Sequence, residues 1–383
     1  MKTTRREIFK YSLASLAILK GGTTMAQTAP SQKDASPVPR STAYKRIATE
    51  EAWVTREIAD KYAELIAANP ADEQGFMSMG RFIYKRDGNS PVVRKLLDMD
   101  AERIADMDAL GIDVQLLLLT APGVQVFDAD TATGLARDSN DQLEEAIRNH
   151  PDRFAGLAAV APQDPKRAAV EIERGMTKLG LNGVVINSHT KGEYLDDPKF
   201  WEIFEAAEAH NAPIYIHPRT PANGMLEPYL KRGLEMAIMG FGAEVALHTL
   251  AIITNGVFDR FPRLQIVIGH AGEGLPYLLY RIDHMQKYVR EAARGAKKLN
   301  KLPSDYMREN ITITTSGVAW EPAITFAQKV LGVDRVIYAM DYPYQALARE
   351  VIATDNLPIS AADKKKLYQT NSEKLFNLKT IHA

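Results

Sequence analysis

The chain has 383 residues, 45% of them hydrophobic, with 47 basic and 48 acidic side chains and a formal net charge of −1. That balance excludes nucleic acid and charged membrane surfaces as electrostatic partners, while the length is enough for a full hydrophobic core. There is no cysteine, so disulfides and thiolate ligands are excluded and any metal must be held by oxygen and nitrogen donors.

In residues 1–29, Arg5-Arg6 precedes an apolar stretch from Tyr11 to Leu19, and the small residues Ala26 and Ala29 follow. This is the order of a charged segment, an apolar segment and a cleavage zone. The apolar run is too short to span a bilayer. The arginine pair resembles a twin-arginine export signal, which implies a periplasmic destination; without a working signal the protein stays cytoplasmic. Residues 30–45 are rich in Pro and Ser and predict a solvated linker. A single domain is expected over 46–383, with no membrane insertion.

From residue 46 onward, short apolar runs alternate with amphipathic stretches. The runs 46–52, 114–120, 154–161, 182–188, 213–217, 265–270, 311–316 and 335–340 read as strands buried on both faces. Helices fit between them. Asp164-Pro165 and Asp197-Pro198 each pair a capping carboxylate with proline in the first turn, predicting helices that run to Leu179 and His210. Eight β–α units with no second apolar cluster predict an α/β fold, one closed (β/α)8 TIM barrel. An open doubly wound sheet is the competing architecture. Long connections at 54–95, 219–245 and 271–310 are expected as loops over the catalytic, carboxyl-terminal face.

Polar residues end several of these runs. Glu50 closes Arg-Ile-Ala-Thr-Glu, His217 closes Pro-Ile-Tyr-Ile-His, His270 closes Gln-Ile-Val-Ile-Gly-His, and Asp341 follows Val-Ile-Tyr-Ala-Met. In a barrel, strand ends converge on one rim, where carboxylate and imidazole suit a divalent ion. Taken singly, Glu50 reads equally well as a buried salt-bridge partner and His217 as a hydrogen-bonded core histidine. Glu50, His217 and Asp341 are the expected metal ligands. His270 is expected beside them as an acid–base or electrostatic partner of Asp341, or else as a fourth ligand. Glu273 either orients His270 or caps a helix. Arg281, in Arg-Ile-Asp-His, is a candidate for a substrate carboxylate, with surface salt bridging as the alternative. His189 and His248 are further candidates for the pocket, His248 reading more readily as structural. Trp53, Tyr215, Trp320, Tyr342 and Tyr344 are expected to cluster at the mouth, where an aromatic ring stacks well.

Together, Glu50-Glu51-Ala52, His217-Pro218-Arg219, the Gly269–Pro276 stretch Gly-His-Ala-Gly-Glu-Gly-Leu-Pro and Asp341-Tyr342-Pro343 resemble the amidohydrolase superfamily. More closely, they are similar to its non-oxidative aromatic acid decarboxylases, which act on γ-resorcylate, 2,3-dihydroxybenzoate and 5-carboxyvanillate, and to relatives of aminocarboxymuconate semialdehyde decarboxylase. The resemblance covers about residues 46–378. It implies a metal-dependent carboxy-lyase acting on a small aromatic acid, and a homodimer or homotetramer. That family often places histidine where this chain has Ala52, and Phe-Glu where it has Tyr344-Gln345. With one nitrogen ligand missing, an oxygen-rich set favours Mg²⁺ or Mn²⁺ over Zn²⁺. The fourth run ends in Asn187-Ser188 rather than a bridging lysine, so one metal is expected rather than two.

The chemistry expected from that resemblance is protonation of a ring carbon by Asp341 with His270, followed by loss of CO₂. A metal lowers the pKa of the ortho-hydroxyl that feeds electron density to that carbon. The same residues also suit hydrolysis of a lactone, amide or activated C–C bond, with Asp341 as base and His270 stabilising an oxyanion. A binding protein that has lost turnover is the third reading.

Overall fold

The eight apolar runs form nine strand segments among the described residues, and every strand pair is parallel. The computed structural model describes residues 37–84, 90–294 and 296–378. The expected signal at 1–29 lies outside them, as do residues 30–36 of the expected linker. From residue 37 that segment is not free of the barrel: Val38 is buried, and its N–H donates to Ala109 O at 2.9 Å.

Strands β1 (Ile47–Trp53), β2 (Val114–Leu119) and β3 (Phe154–Gly156) form one ribbon. A second ribbon runs through β4 (Ala158–Ala159), β5 (Val184–Ile186), β6 (Ile214–Ile216), β7 (Ile266–Ile268), β8 (Ile311–Thr314) and β9 (Val336–Ile337). The ribbons join twice. At β3–β4, Leu157 N–H donates to Leu117 O and the next residue, Ala158, donates to Gly183 O. At the other seam, Thr49 N–H donates to Tyr338 O at 3.1 Å and Ala52 N–H to Tyr342 O at 2.7 Å. With β3 and β4 as one stave, eight staves close into the expected barrel.

Alternation along each strand sorts the core into two shells. Val185, Tyr215, Val267 and Ile337 belong to a cluster with Leu116, Leu118 and Leu157. Their neighbours Val184, Ile186, Ile214, Ile216, Ile266 and Ile268 pack instead with helix residues such as Phe204, Ile252 and Met307. The capping expectations hold. Asp164 accepts the Arg167 N–H at the start of Pro165–Thr177, and Asp197 accepts the Lys199 N–H ahead of Trp201–Ala209. The long connections are largely helical rather than loops. They carry Arg56–Ala68, Gln74–Ile83 and Pro91–Leu97, then Asn223–Leu230, then Leu275–Met285 and Pro303–Asn310. Among the described residues no helix is long and apolar enough to cross a membrane.

Candidate active site

β1 contains a bulge: Ala48 to Glu51 spans the stretch that Gln115 to Leu117 spans on β2. An extra residue re-aims the side chains around it, and here two adjacent carboxylates part company. Glu50 enters the barrel axis. Its Oε2 accepts hydrogen bonds from Tyr215 Oη and from Thr314 Oγ1, the latter at 2.9 Å. Its Oε1 is buried and has no hydrogen-bond partner. Glu51 turns to the seam instead, accepting the N–H of Met340 at 3.0 Å and of Tyr342 at 3.3 Å. Burial raises Glu51 to about 7 against the pull of those two bonds.

Two imidazoles flank the unpartnered oxygen of Glu50. His217 Nε2 lies 3.6 Å from Oε1 and His270 Nε2 lies 3.5 Å from it. Burial lowers His217 to about 4 even though Glu50 opposes the shift, so the ring is neutral, and its buried Nδ1 has no partner. Glu50, His270 and Asp341 each bring one ligand atom within 4.8 Å of the others. Burial and then the Glu50 charge push Asp341 well above the ordinary carboxylate range.

His270 opens a left-handed turn. His270, Ala271, Gly272, Glu273 and Gly274 have φ of 50°, 56°, 80°, 54° and 77°. Three residues per turn bring positions 270 and 273 onto one side, and His270 Nδ1 meets Glu273 Oε1 at 2.6 Å. Each non-glycine residue in that region costs about 1–2 kcal/mol, so the turn stores strain where the site needs His270 aimed. Burial works against charging the His270 ring, but the carboxylates of Glu273, Glu50 and Asp341 outweigh it and raise the ring well above its usual value. Gly269 leaves room for the Glu50 carboxylate, since a Cβ there would stand 2.8 Å from Oε2 and 3.0 Å from Oε1.

An unsatisfied carboxylate oxygen flanked by two imidazoles, one of them neutral, with a second carboxylate in the cluster, is a donor set that suits a divalent cation. Residues 89–378 match the model of the Amidohydrolase family. The chain belongs to the amidohydrolase family. A 5-carboxyvanillate decarboxylase from Novosphingobium aromaticivorans, complexed with manganese and 4-hydroxy-3-methoxy-5-nitrobenzoic acid, is 48% identical; the match covers 90% of this chain and 99% of that one, with a TM-score of 0.86. A dihydroxybenzoic acid decarboxylase from Polaromonas sp. JS666, with bound manganese and the inhibitor 2-nitroresorcinol, is 32% identical over 88% of this chain and 97% of that one, with a TM-score of 0.76. A γ-resorcylate decarboxylase of Polaromonas sp. (strain JS666) is 34% identical over 80% of this chain and 96% of its own length.

Within this amidohydrolase barrel several expected residues stand elsewhere. His189 has both ring nitrogens engaged: Nδ1 accepts the Gly192 N–H and Nε2 donates to Thr220 O, each at 3.1 Å. His248 is likewise committed, with Nε2 accepting the Leu195 N–H at 3.1 Å and Nδ1 3.2 Å from Ser188 Oγ. Burial, joined for His189 by the Arg219 charge, lowers these rings to about 2 and about 3. Neither is left with a nitrogen for substrate, so both are loop scaffolding. Arg281 is exposed on helix Leu275–Met285, which buries Leu275, Pro276 and Leu279; it lies across the helix from Leu275 and Leu279.

The aromatic cluster also divides. Trp53 packs in the shell between sheet and helices. Tyr342 does the same, under the Arg103 guanidinium at 4.6 Å and bonded to Asp106. Trp320 is exposed ahead of helix Glu321–Leu331. Tyr344 stays part-exposed, its hydroxyl 2.6 Å from Thr120 Oγ1 just beyond β2. Tyr215 faces the axis and anchors Glu50. Gln345, the departure from the family's Glu, donates to Gly317 O and Glu350. Sequence reasoning missed three residues: Thr314, Glu51, and Tyr215 in its anchoring role. For Thr314, alternation along β8 was the available signal; for Glu51 there was none, because its direction depends on the bulge in β1.

Proposed function

We propose that the protein is a metal-dependent, non-oxidative decarboxylase of an ortho-hydroxylated benzoate. The observation that carries this is the buried, unpartnered Oε1 of Glu50 with His217 and His270 at 3.6 and 3.5 Å, and Asp341 clustered with Glu50 and His270. Glu50, His217 and Asp341 would hold the ion. His217 is the neutral imidazole that ligation requires, whereas His270 is drawn toward its protonated form by Glu273. Two carboxylates and one imidazole fit Mn²⁺ or Mg²⁺ better than Zn²⁺, and manganese accompanies the ligand in two of the relatives. When bound, such an ion supplies positive charge that lowers the pKa of a hydroxyl ortho to the carboxylate.

The chain's own residues supply the proton handling. His270, held by Glu273, stabilises negative charge beside Asp341. Asp341 passes a proton to the ring carbon that bears the carboxylate; CO₂ then leaves and aromaticity returns. Gly317 keeps the space beside them open, since a Cβ there would lie 3.5 Å from His270 Cδ2 and 3.7 Å from Asp341 Oδ2. The 48% identity to a 5-carboxyvanillate decarboxylase favours a 4-hydroxy-3-methoxybenzoate skeleton with a carboxylate beside the hydroxyl.

The deciding experiment is CO₂ release by manganese-loaded protein across a panel of carboxyvanillates and dihydroxybenzoates, in water enriched in ¹⁸O. Release without label in the aromatic product supports decarboxylation. Labelled product from an ester or amide panel, with no CO₂, would support hydrolysis instead.

Two further readings belong to this proposal. Residues 1–29 direct export, supported by Arg5-Arg6 ahead of the apolar stretch; a reporter fusion that loses export when both arginines become lysine tests it. The protein is a homodimer or homotetramer, supported by Tyr277, Tyr280 and Tyr288, each more than half exposed along one continuous helical stretch; light scattering tests it.

A further inference from the structure

We propose that Glu51 is a positioning residue that fixes Asp341 in the geometry the site needs; this rests on the reading of Asp341 as a ligand and proton carrier. Asp341 sits where β9 has ended and the chain bends toward helix Ala348–Asp355, and its own φ is 72°. A non-glycine residue stays in that region only when its surroundings hold it there. Glu51 bonds the residues on either side. One carboxylate oxygen accepts the N–H of Met340 at 3.0 Å and the other accepts the N–H of Tyr342 at 3.3 Å.

The backbone of the seam does not offer these acceptors. Along the seam, β1 donates at Thr49 and Ala52 to the carbonyls of Tyr338 and Tyr342. The bulge in β1 opens a gap between those two bonds, and the Glu51 carboxylate fills it as a stand-in for missing ladder acceptors. The residue is itself fixed. It is fully buried, and buried Arg103, which lies over the Tyr342 ring at 4.6 Å, donates to Ala52 O at 2.8 Å and to Gln115 Oε1 at 3.1 Å. Glu51 therefore acts on Asp341 from behind, through the main chain, while Glu50 faces it across the axis. The paired carboxylates at 50 and 51 have separate tasks, one toward the ion and one toward the turn that presents the other carboxylate ligand.

The test reads Mn²⁺ affinity, which needs no substrate and so stands apart from the decarboxylase reading. Glu51→Gln keeps the shape but sets an NH₂ against a backbone N–H. Manganese binding should weaken about 10- to 100-fold, with kcat falling by a similar factor and KM changing little. The loss should vanish when Glu51→Gln is placed in an Asp341→Asn background, because the turn then has no ligand to aim. Thr49→Val removes another side-chain contact of the seam, the Thr49 Oγ1 bond to Tyr338 O, and should leave Mn²⁺ affinity within about twofold. If Glu51→Gln does not fold, Glu51→Asp, too short to bridge both N–H groups, reads the same quantity. Affinity within twofold of wild type in the Glu51 variants, or an equal loss with and without Asp341, overturns the inference. If instead Asp341→Asn itself binds Mn²⁺ like wild type, the ligand assignment fails, and this role for Glu51 fails with it.

Discussion

His270 Nδ1 and Glu273 Oε1 stand 2.6 Å apart across one left-handed turn, so a residue three places away sets both the aim and the charge of the imidazole. Glu273→Gln preserves the shape and removes the charge. The His270 ring is raised by its surrounding carboxylates, and losing one lowers it. If the protonated ring is the working form, the basic limb of the pH–rate profile moves to lower pH in the variant. We expect kcat to fall about 10- to 100-fold near neutral pH. A profile that keeps its basic limb in place would show that Glu273 serves only to shape the turn.

Removing the metal should destabilise the fold as well as silence it. Without a cation, the Glu50 charge opposes ionisation of Asp341 in a buried site. A ligand present at about a hundred times its dissociation constant stabilises by about 2.7 kcal/mol. Melting in the presence of a chelator should therefore occur several degrees lower, and Mn²⁺ should restore the higher value. A melting temperature unmoved by chelator and metal alike would count against an ion at this rim.

Gly269 has a steric role that a methyl group exposes. Its Cβ would press on both oxygens of Glu50, so Gly269→Ala must displace the carboxylate, at an overpacking cost of about 1–3 kcal/mol. The expected result is loss of Mn²⁺ stoichiometry with the barrel still folded, read by circular dichroism and metal analysis. Gly134→Ala is the counterpart. It lies in helix Ala129–Asn149 with nothing within 4 Å of the added carbon, and should stabilise by about 0.5–1 kcal/mol without touching activity.

The barrel was legible because each stave is a short apolar run and each metal-ligand candidate stands at the end of one. Glu50, His217, His270 and Asp341 announce themselves by position alone. What the sequence hides is orientation. Glu50 and Glu51 are chemically alike neighbours, and only a bulge against β2 sends one to the axis and the other to the seam. Trp53 and Tyr342 sit as close to ligands in sequence as Tyr344 does, yet alternation along β1 turns Trp53 toward the helix shell and the turn after β9 sends Tyr342 there. The occupied nitrogens of His189 and His248 were invisible for a different reason: their partners include Thr220 and Ser188, dozens of residues away and brought close by the pairing of neighbouring staves β5 and β6 and by helix Gly240–Thr254 after β6.

Those two histidines each make a contribution to stability whose sign with pH is definite. In the folded chain His189 is held at about 2 and His248 at about 3, chiefly by burial, against about 6.5 in an unfolded chain. The folded values are depressed, so between these limits the unfolded chain binds more protons. The stability is full above about pH 6.5 and is lost as pH falls toward the folded values. At about pH 5 each ring costs about 2 kcal/mol, roughly 1.4 kcal/mol for every unit below 6.5. Glu51, Asp341 and His270, whose folded values are raised, act with the opposite sign over part of this range, so the reading is the difference between variant and wild type in urea midpoints at about pH 8 and pH 5. Replacing His248 by Gln, which cannot charge, should remove a destabilisation of about 2 kcal/mol at about pH 5 while lowering the midpoint at pH 8 through its altered bonds to Ser188 and Leu195. A His248→Gln midpoint that changes between pH 8 and pH 5 by as much as the wild type's would show that the His248 ring is not held neutral.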